Sequence, residues 1–331
     1  MECRTIVLIS VLLLIHHCVD AQNFFSQHYS SPLTINPANT GNFSGDFRLG
    51  GIARNEKEGL PQSTSKAYFF GDTRLLHKVV PENDKFAVGF GGLSEKNAFY
   101  GIKNTYLSLS LAYQKALDRD GSQQLGIGFL LNFSHLRIES PSLVMENQLR
   151  GLMATGFSTG NPDQNGAIDI NFPDINTGIR YKYTFQDKDV LTAGFSIYHA
   201  NRPFRTYNGG QFRLSPQSCG QLGWEHIIDD RSKLMSALIV SDNNGTNAGD
   251  LFVSSMYDTR LNESNIYRVG LGGIYRKNAF EGSAVLPCLS LHFYRFDLLA
   301  SYEVDVSHKT ASQRGAFEVG LIYTGVRRPD N

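Results

Sequence analysis

Side chains that alternate with a period of two, in segment after segment, constrain this chain more than any other feature. Leu107, Leu109, Leu111 and Tyr113 alternate with Ser108, Ser110, Ala112 and Gln114, which gives a strand one apolar face and one small or polar face. Leu125, Ile127, Phe129, Leu131 and Phe133 oppose Gly126, Gly128, Asn132 and Ser134 in the same way. Ile179, Tyr181, Tyr183 and Phe185 oppose Gly178, Arg180, Lys182 and Thr184, and Phe317, Val319, Leu321 and Tyr323 repeat the pattern near the C-terminus. Segments of this type are expected near 47–54, 65–71, 85–93, 104–114, 124–137, 178–185, 190–198, 218–227, 233–241, 250–257, 266–276, 285–293, 295–304 and 315–324. Short turns such as Asp187–Asp189 and Asp229–Ser232 make them an antiparallel meander. A short helix over Leu143–Met153 is expected within the irregular region Glu139–Asp174.

An all-β meander can be a soluble sandwich or propeller, with its apolar faces against each other, or a membrane barrel, with those faces turned to lipid. The strands run long, near the roughly 10 residues that a tilted bilayer crossing requires, and Tyr and Phe recur at their ends. Their second face holds Gly, Ser, Thr, Asn and scattered charge. These features favour an all-β antiparallel transmembrane barrel of about 14 strands. Charges on the small-residue face, among them Arg180, Lys182, Glu303, Asp305 and Glu318, would be costly against lipid and should face the lumen, pairing with one another.

The first residues read as a secretory signal: Arg4, an uncharged run Ile6–Ile15, and Val19-Asp20-Ala21 at the scissile position. The expected organisation is therefore a signal peptide over 1–21, an extended N-terminal arm over 22–46 and a barrel over 47–331. Thirty-one basic and thirty-one acidic residues give no net charge, hence no field that gathers nucleic acid. Of four cysteines, Cys219 and Cys288 survive processing; sequence leaves a disulfide and two free thiols equally open.

No residue pattern points to catalysis. The histidines lack metal-ligand spacing, and no nucleophile elbow, phosphate loop or dinucleotide fingerprint is present. Ser134 with His135, or Ser290 with His292, are the best starting points for a barrel-embedded hydrolase, and adjacent or alternate residues on one strand serve that purpose poorly. Asp242–Asp250 offers oxygen ligands for calcium, but a hairpin turn of Asn and Gly is the better use. No cofactor is expected.

The arm reads Gln22-Asn-Phe-Phe-Ser-Gln-His-Tyr-Ser-Ser-Pro-Leu-Thr-Ile-Asn-Pro-Ala-Asn-Thr-Gly41. Pro32 and Pro37 oppose helix, so an extended, turn-rich segment is expected. Phe25-Ser26-Gln27, Tyr29, Pro32-Leu33, Asn36-Pro37-Ala38 and Gly41 resemble, in order, the opening of the PorP/SprF family of outer-membrane proteins of the type IX secretion system of Bacteroidota. Pro173-Asp174-Ile175-Asn176-Thr177-Gly178, Gly270–Arg276, Ser301–Ser307 and Gly315–Val319 extend the resemblance over nearly the whole mature chain. The chain departs from the usual barrel pattern at its end, where Gly325–Asn331 runs past the last aromatic residue.

The resemblance implies a non-enzymatic outer-membrane barrel that works with the type IX machinery and with the C-terminal domain of a large secreted adhesin, in contact with outer-membrane lipid and no nucleic acid. Its arm would plug the lumen or pack at the periplasmic mouth. Phe25, Gln27, Tyr29, Asn36, Pro37, Ala38 and Gly41 are the expected partner contacts. A diffusion channel or small-solute transporter is the alternative.

Overall fold

The computed structural model describes residues 25–56, 63–76, 79–98, 101–138, 168–186, 188–207, 210–243, 250–260, 267–278, 282–306 and 315–326. Its strands are β1 (Phe47–Glu56), β2 (Thr64–Leu75), β3 (Lys85–Asn97), β4 (Ile102–Ala116), β5 (Gln123–Ile138) and β6 (Ile168–Phe185). They continue with β7 (Asp189–Tyr198), β8 (Phe204–Tyr207), β9 (Gly210–Arg213), β10 (Gln217–Ile227), β11 (Ser232–Asn243) and β12 (Asp250–Arg260). The last are β13 (Tyr267–Asn278), β14 (Gly282–Phe293), β15 (Phe296–Tyr302), β16 (Val304–Asp305) and β17 (Ala316–Gly325). Each wall strand pairs antiparallel with its neighbour, and β1 closes the sheet onto β17 from Phe47 opposite Gly325 to Glu56 opposite Ala316. The β8–β9 hairpin forms a separate small sheet.

β15 and β16 are one wall strand interrupted at Glu303, since Ser301 faces Cys288 and Val304 faces Val285 in a continuous register on β14. The interruption faces the region of β14 that holds Pro287, which has no N–H to give a ladder. The wall therefore has fourteen strands and no free edge.

The alternation points as the barrel reading requires. Leu107 and Leu109 are 59% and 60% exposed, while Ser108 and Ser110 between them are 5% and 2% exposed. Ile127, Phe129 and Phe133 on β5, and Ile179, Tyr181 and Tyr183 on β6, lie on the same outer surface. A water-soluble fold could not leave so wide an apolar surface bare; hydrocarbon satisfies it. Aromatic residues gather at both rims. Tyr113, Tyr183, Trp224, Tyr257, Tyr267, Phe293 and Phe296 are exposed toward the end where the barrel begins and finishes, and Tyr275, Tyr302 and Phe317 toward the other.

The two ends differ in their connections. Residues 117–122, 186–188, 228–231 and 294–295 make short turns on the side of Phe47 and Gly325, the terminal end, where 76–84 is the longest link. Opposite them, at the loop end, lie the connections 139–167, 199–216 and 306–315. In one short turn the Asp229 carboxylate accepts the backbone N–H of Arg231 at 2.8 Å and of Ser232 at 2.7 Å. Those bonds favour its charged form and hold its pKa below the ordinary carboxylate value.

Two expectations need correction, and one open alternative closes. The strand expected at 178–185 begins ten residues earlier, at Ile168, because Pro173 reads as a loop residue in isolation. Pro173 is tolerated because this stretch of β6 pairs only with β5; the β6–β7 ladder starts at Thr177. Pro32 does not exclude helix: it occupies the first position of a four-residue turn, Pro32–Ile35, where a missing N–H costs nothing. Cys219 and Cys288 are separate buried thiols, which settles the open alternative. The expected helix at 143–153 and residues 244–249 of the proposed hairpin turn lie outside the described residues.

Candidate functional site: the plugged lumen

The interior of the barrel is filled by the chain's own N-terminal arm. Phe25 and Leu33 pack among Ile52, Tyr68, Phe70 and Ile322 of the wall. Ile35 packs with Tyr198, Cys219, Ile239, Phe252 and neighbours on β12–β15. Three tight turns shape the arm: 3-10 turns at His28–Ser30 and Pro37–Asn39 flank the helical turn Pro32–Ile35. Asn36 caps the last of them, its Oδ1 accepting the Ala38 N–H at 2.9 Å.

The described arm is hydrogen-bonded to wall strands near its start, at its middle and at its end. Ser26 and Gln27 donate their backbone N–H groups to the two oxygens of Glu318, each at 2.9 Å. The Gln27 amide donates to the Ser301 hydroxyl at 2.8 Å. The hydroxyls of Tyr198 and Ser196 donate to the carbonyls of Thr34 and Ile35 at 2.6 and 2.7 Å. Asn36 Nδ2 donates to the Ile179 carbonyl at 2.9 Å. Gln114 donates to the Thr40 carbonyl, and the Gly41 N–H donates to Asp72, both at 2.8 Å.

These contacts give the arm a direction. Glu318 and Ser301 lie in the loop-end half and Gln114 and Asp72 in the terminal-end half, so the arm traverses the lumen before β1 begins at its terminal end.

Wall glycines permit this close fit. A Cβ on Gly128 would lie 2.3 Å from the Ala38 nitrogen and the Pro37 carbonyl carbon, and one on Gly178 would lie 2.1 Å from Asn36 Oδ1. Gly128 cannot carry a side chain without moving the Pro37–Ala38 backbone, and a side chain at Gly178 would displace the Asn36 cap. Gly41 adopts φ +74°, a left-handed conformation that suits glycine, where the arm bends toward β1.

The loop-end half carries a buried ion network. Arg54 meets Glu318 at 2.5 Å, Glu56 at 2.5 Å and Glu303 at 2.7 Å, and donates to the Ser26 hydroxyl at 2.9 Å. Arg276 lies 3.2 Å from Glu303 and 3.6 Å from Asp250, and Lys66 lies 3.0 Å from Glu95. Nearer the terminal end, Arg48 grips both oxygens of Asp72 at 2.9 and 2.8 Å. In this low-dielectric interior such charges are tolerable only when paired.

Phe25, Gln27, Tyr29, Asn36, Pro37, Ala38 and Gly41 therefore all lie inside the barrel, brought together on one arm. Of the five charge candidates, Arg180 and Glu318 are buried and Lys182, Glu303 and Asp305 half-buried. The expected pairing among the five is not found for Glu303 and Glu318, whose partners are Arg54 and Arg276. Sequence reading missed Arg48, Arg54, Glu56 and Arg276. The signal was present: once Leu49 is placed outward, Arg48, Ile52, Arg54 and Glu56 follow inward by parity.

The hydrolase starting points do not assemble. Ser134 is buried while His135 points outward to Asp169 at 2.9 Å, and although His292 bonds to Asp297, no hydrogen bond joins Ser290 to His292 among the described residues. No group of three or more metal-ligating side chains occurs among the described residues.

A search of curated proteins finds no match. Solved structures share the fold. A TodX monoaromatic hydrocarbon channel deltaS2 mutant aligns with TM-score 0.56 and 13% identity, over 90% of this chain and 94% of that one. The toluene transporter TodX of P. putida gives 0.55 and 11% over 90% and 95%, and a FadL homologue of Pseudomonas aeruginosa 0.54 and 10% over 89% and 94%. Identities this low speak for architecture alone. The sequence itself matches, over residues 20–323, the family of type IX secretion system membrane proteins PorP/SprF. With a closed fourteen-strand wall, an apolar exterior and that match across nearly its whole length, the chain belongs to the PorP/SprF family and is an outer-membrane β-barrel of type IX secretion.

Proposed function

We propose that this protein assists the export or surface retention of a paired large secreted protein, acting as a plugged platform and not as the conduit. The observation that carries this reading is the arm, which fills the lumen with buried apolar clusters and a buried carboxylate anchor. A large protein cannot thread a barrel so occupied. Short turns on the terminal side and longer connections opposite match the usual placement of turns in the periplasm and loops outside. In that orientation the loop face meets the cargo, the C-terminal domain of an adhesin-type protein, and the Phe25–Gln27 end of the arm lies on that side of the lumen. Residues 1–21 serve as the cleaved export signal. The arm's Asn36-Pro37-Ala38 turn is the segment whose fit to the wall sets the plugged state.

Deleting residues 22–41 tests this. The barrel is expected to reach the outer membrane with its heat-modifiable mobility, while the paired protein no longer accumulates at the surface. Normal surface display by the deletion strain overturns the proposal. Ion conductance by the intact protein in planar bilayers, with the arm in place, would instead support the channel alternative.

A further inference from the structure

The inward row across β3, β4, β5, β6, β7 and β10 in the terminal half reads Lys85, Gln114, Gly126, Arg180, Gly194 and Gln221, each residue opposite the next. The row nearer the mouth places Lys182 between Gln124 and Thr192. Arg180 is 1% exposed, and none of its three guanidinium nitrogens has a hydrogen-bond partner among the described residues. Its cross-strand neighbours, Gly126 and Gly194, carry no side chain that could supply one. A guanidinium cannot shed its proton to escape this position, and a buried charge without a counter-charge is unfavourable.

The surroundings add to the positive field. Arg48 and Arg74 lie close enough to repel Arg180, and Lys85 stands in the field of Arg74, Lys182 and Arg180. Adjacent strands are spaced about 4.8 Å apart, so Lys85 and Arg180 start no more than roughly 14 Å apart along the curved wall, within reach of a shared small ion. The nearby carboxylates are engaged elsewhere. Asp72 holds Arg48 and the Gly41 N–H, Asp84 accepts from Tyr113 and from the Ala116 N–H, and Glu225, which attracts Lys182, pairs with Lys233 at 3.4 Å.

We propose that the terminal-end half of the lumen is an oxyanion-binding site, in which Arg180, Lys182 and Lys85 hold a carboxylate or phosphate group entering from that mouth. Two oxygens of a carboxylate or a phosphate match the paired N–H donors of the guanidinium fork, and the lysines add charge without fixed geometry. This site is independent of the cargo role proposed above, and its test involves no secretion.

Calorimetric titration of the full-length mature protein in detergent, at constant ionic strength, decides it. Three probes are used: inorganic phosphate, a short peptide with a free C-terminal carboxylate and its amidated twin, with chloride as the background salt. Saturable binding of phosphate or of the free-carboxylate peptide is expected, and each result names the source of the anion. Arg180→Gln and Lys182→Gln should each weaken it at least tenfold while heat-modifiable mobility is kept. Should Arg180→Gln fail to assemble, Lys182→Gln alone decides. No saturable binding to any probe, equal binding of the amidated peptide, or binding untouched by the substitutions overturns the proposal.

Discussion

Glu318 is the residue on which arm docking turns, and Glu318→Gln is the sharpest perturbation of it. The native carboxylate receives the Ser26 N–H and Arg54 on one oxygen and the Gln27 N–H on the other. An amide offers one acceptor oxygen, so its NH2 must face at least one of these donors. The substitution thus loses at least one bond to a charged acceptor, worth about 1.5–3 kcal/mol, and leaves a buried donor unsatisfied at about 1–3 kcal/mol. Arg54 keeps Glu56 and Glu303, so the wall itself should hold. A net loss of about 3 kcal/mol raises the population of undocked arm by about two orders of magnitude. Hydrogen exchange at the Ser26 and Gln27 amides reads that population directly. They should exchange about a hundredfold faster, while amides of β4 and β5 are unchanged. Unaltered protection of Ser26 and Gln27 would refute the anchoring role of Glu318, and so would uniform loss of protection throughout the barrel.

Other outcomes follow from the same geometry. Gly128→Val forces a side chain into the Pro37–Ala38 backbone, a clash of about 1–3 kcal/mol; proteolysis should trim the arm at lower protease while the barrel persists, and equal resistance would count against the fit. Leu109→Arg places a charge on the lipid face and should cost about 2–4 kcal/mol of folding into vesicles if near the midplane, whereas Leu109→Ile at the same lipid-facing site should cost far less; denaturant titration in lipid compares them. Cys219 and Cys288 are buried free thiols, so neither should react with a membrane-impermeant maleimide in the folded protein, and reduction should not change gel mobility. An epitope placed before Gln22 should be reached by antibody on intact cells, because the arm runs from the loop end inward; staining only after permeabilisation would reverse the orientation.

Much of the wall was legible because β4, β5 and β17 carry unbroken alternation, and a membrane enforces it on one face. β6 was legible only from 178 onward: Pro173 breaks the propensity pattern, and its tolerance depends on β7 ending first, which no local signal reveals. The arm's residues announced themselves by motif, and the lumen was one of two seats expected for them; what decides between the two is the close fit at glycines 128 and 178, which read equally well as relief of curvature. The Arg54 network was hidden for a related reason. Arg54 and Glu56 share β1, but Glu303 and Glu318 come from the far end of the chain, and only closure of β1 on β17 brings Glu318 beside Arg54. Arg180 was visible as an inward charge, but that its neighbours on both sides are glycines emerges only from the register.

The bond between Gln27 and Glu318 joins positions 291 residues apart. The start of the described arm thus lacks its carboxylate anchor until the last strand has been laid down. Assembly in the membrane must keep this early segment waiting beside an incomplete wall, and its docking is the event that certifies the cylinder as finished. A truncated or stalled chain lacking β17 would leave the Ser26 and Gln27 N–H groups and Arg54 without the carboxylate that joins them.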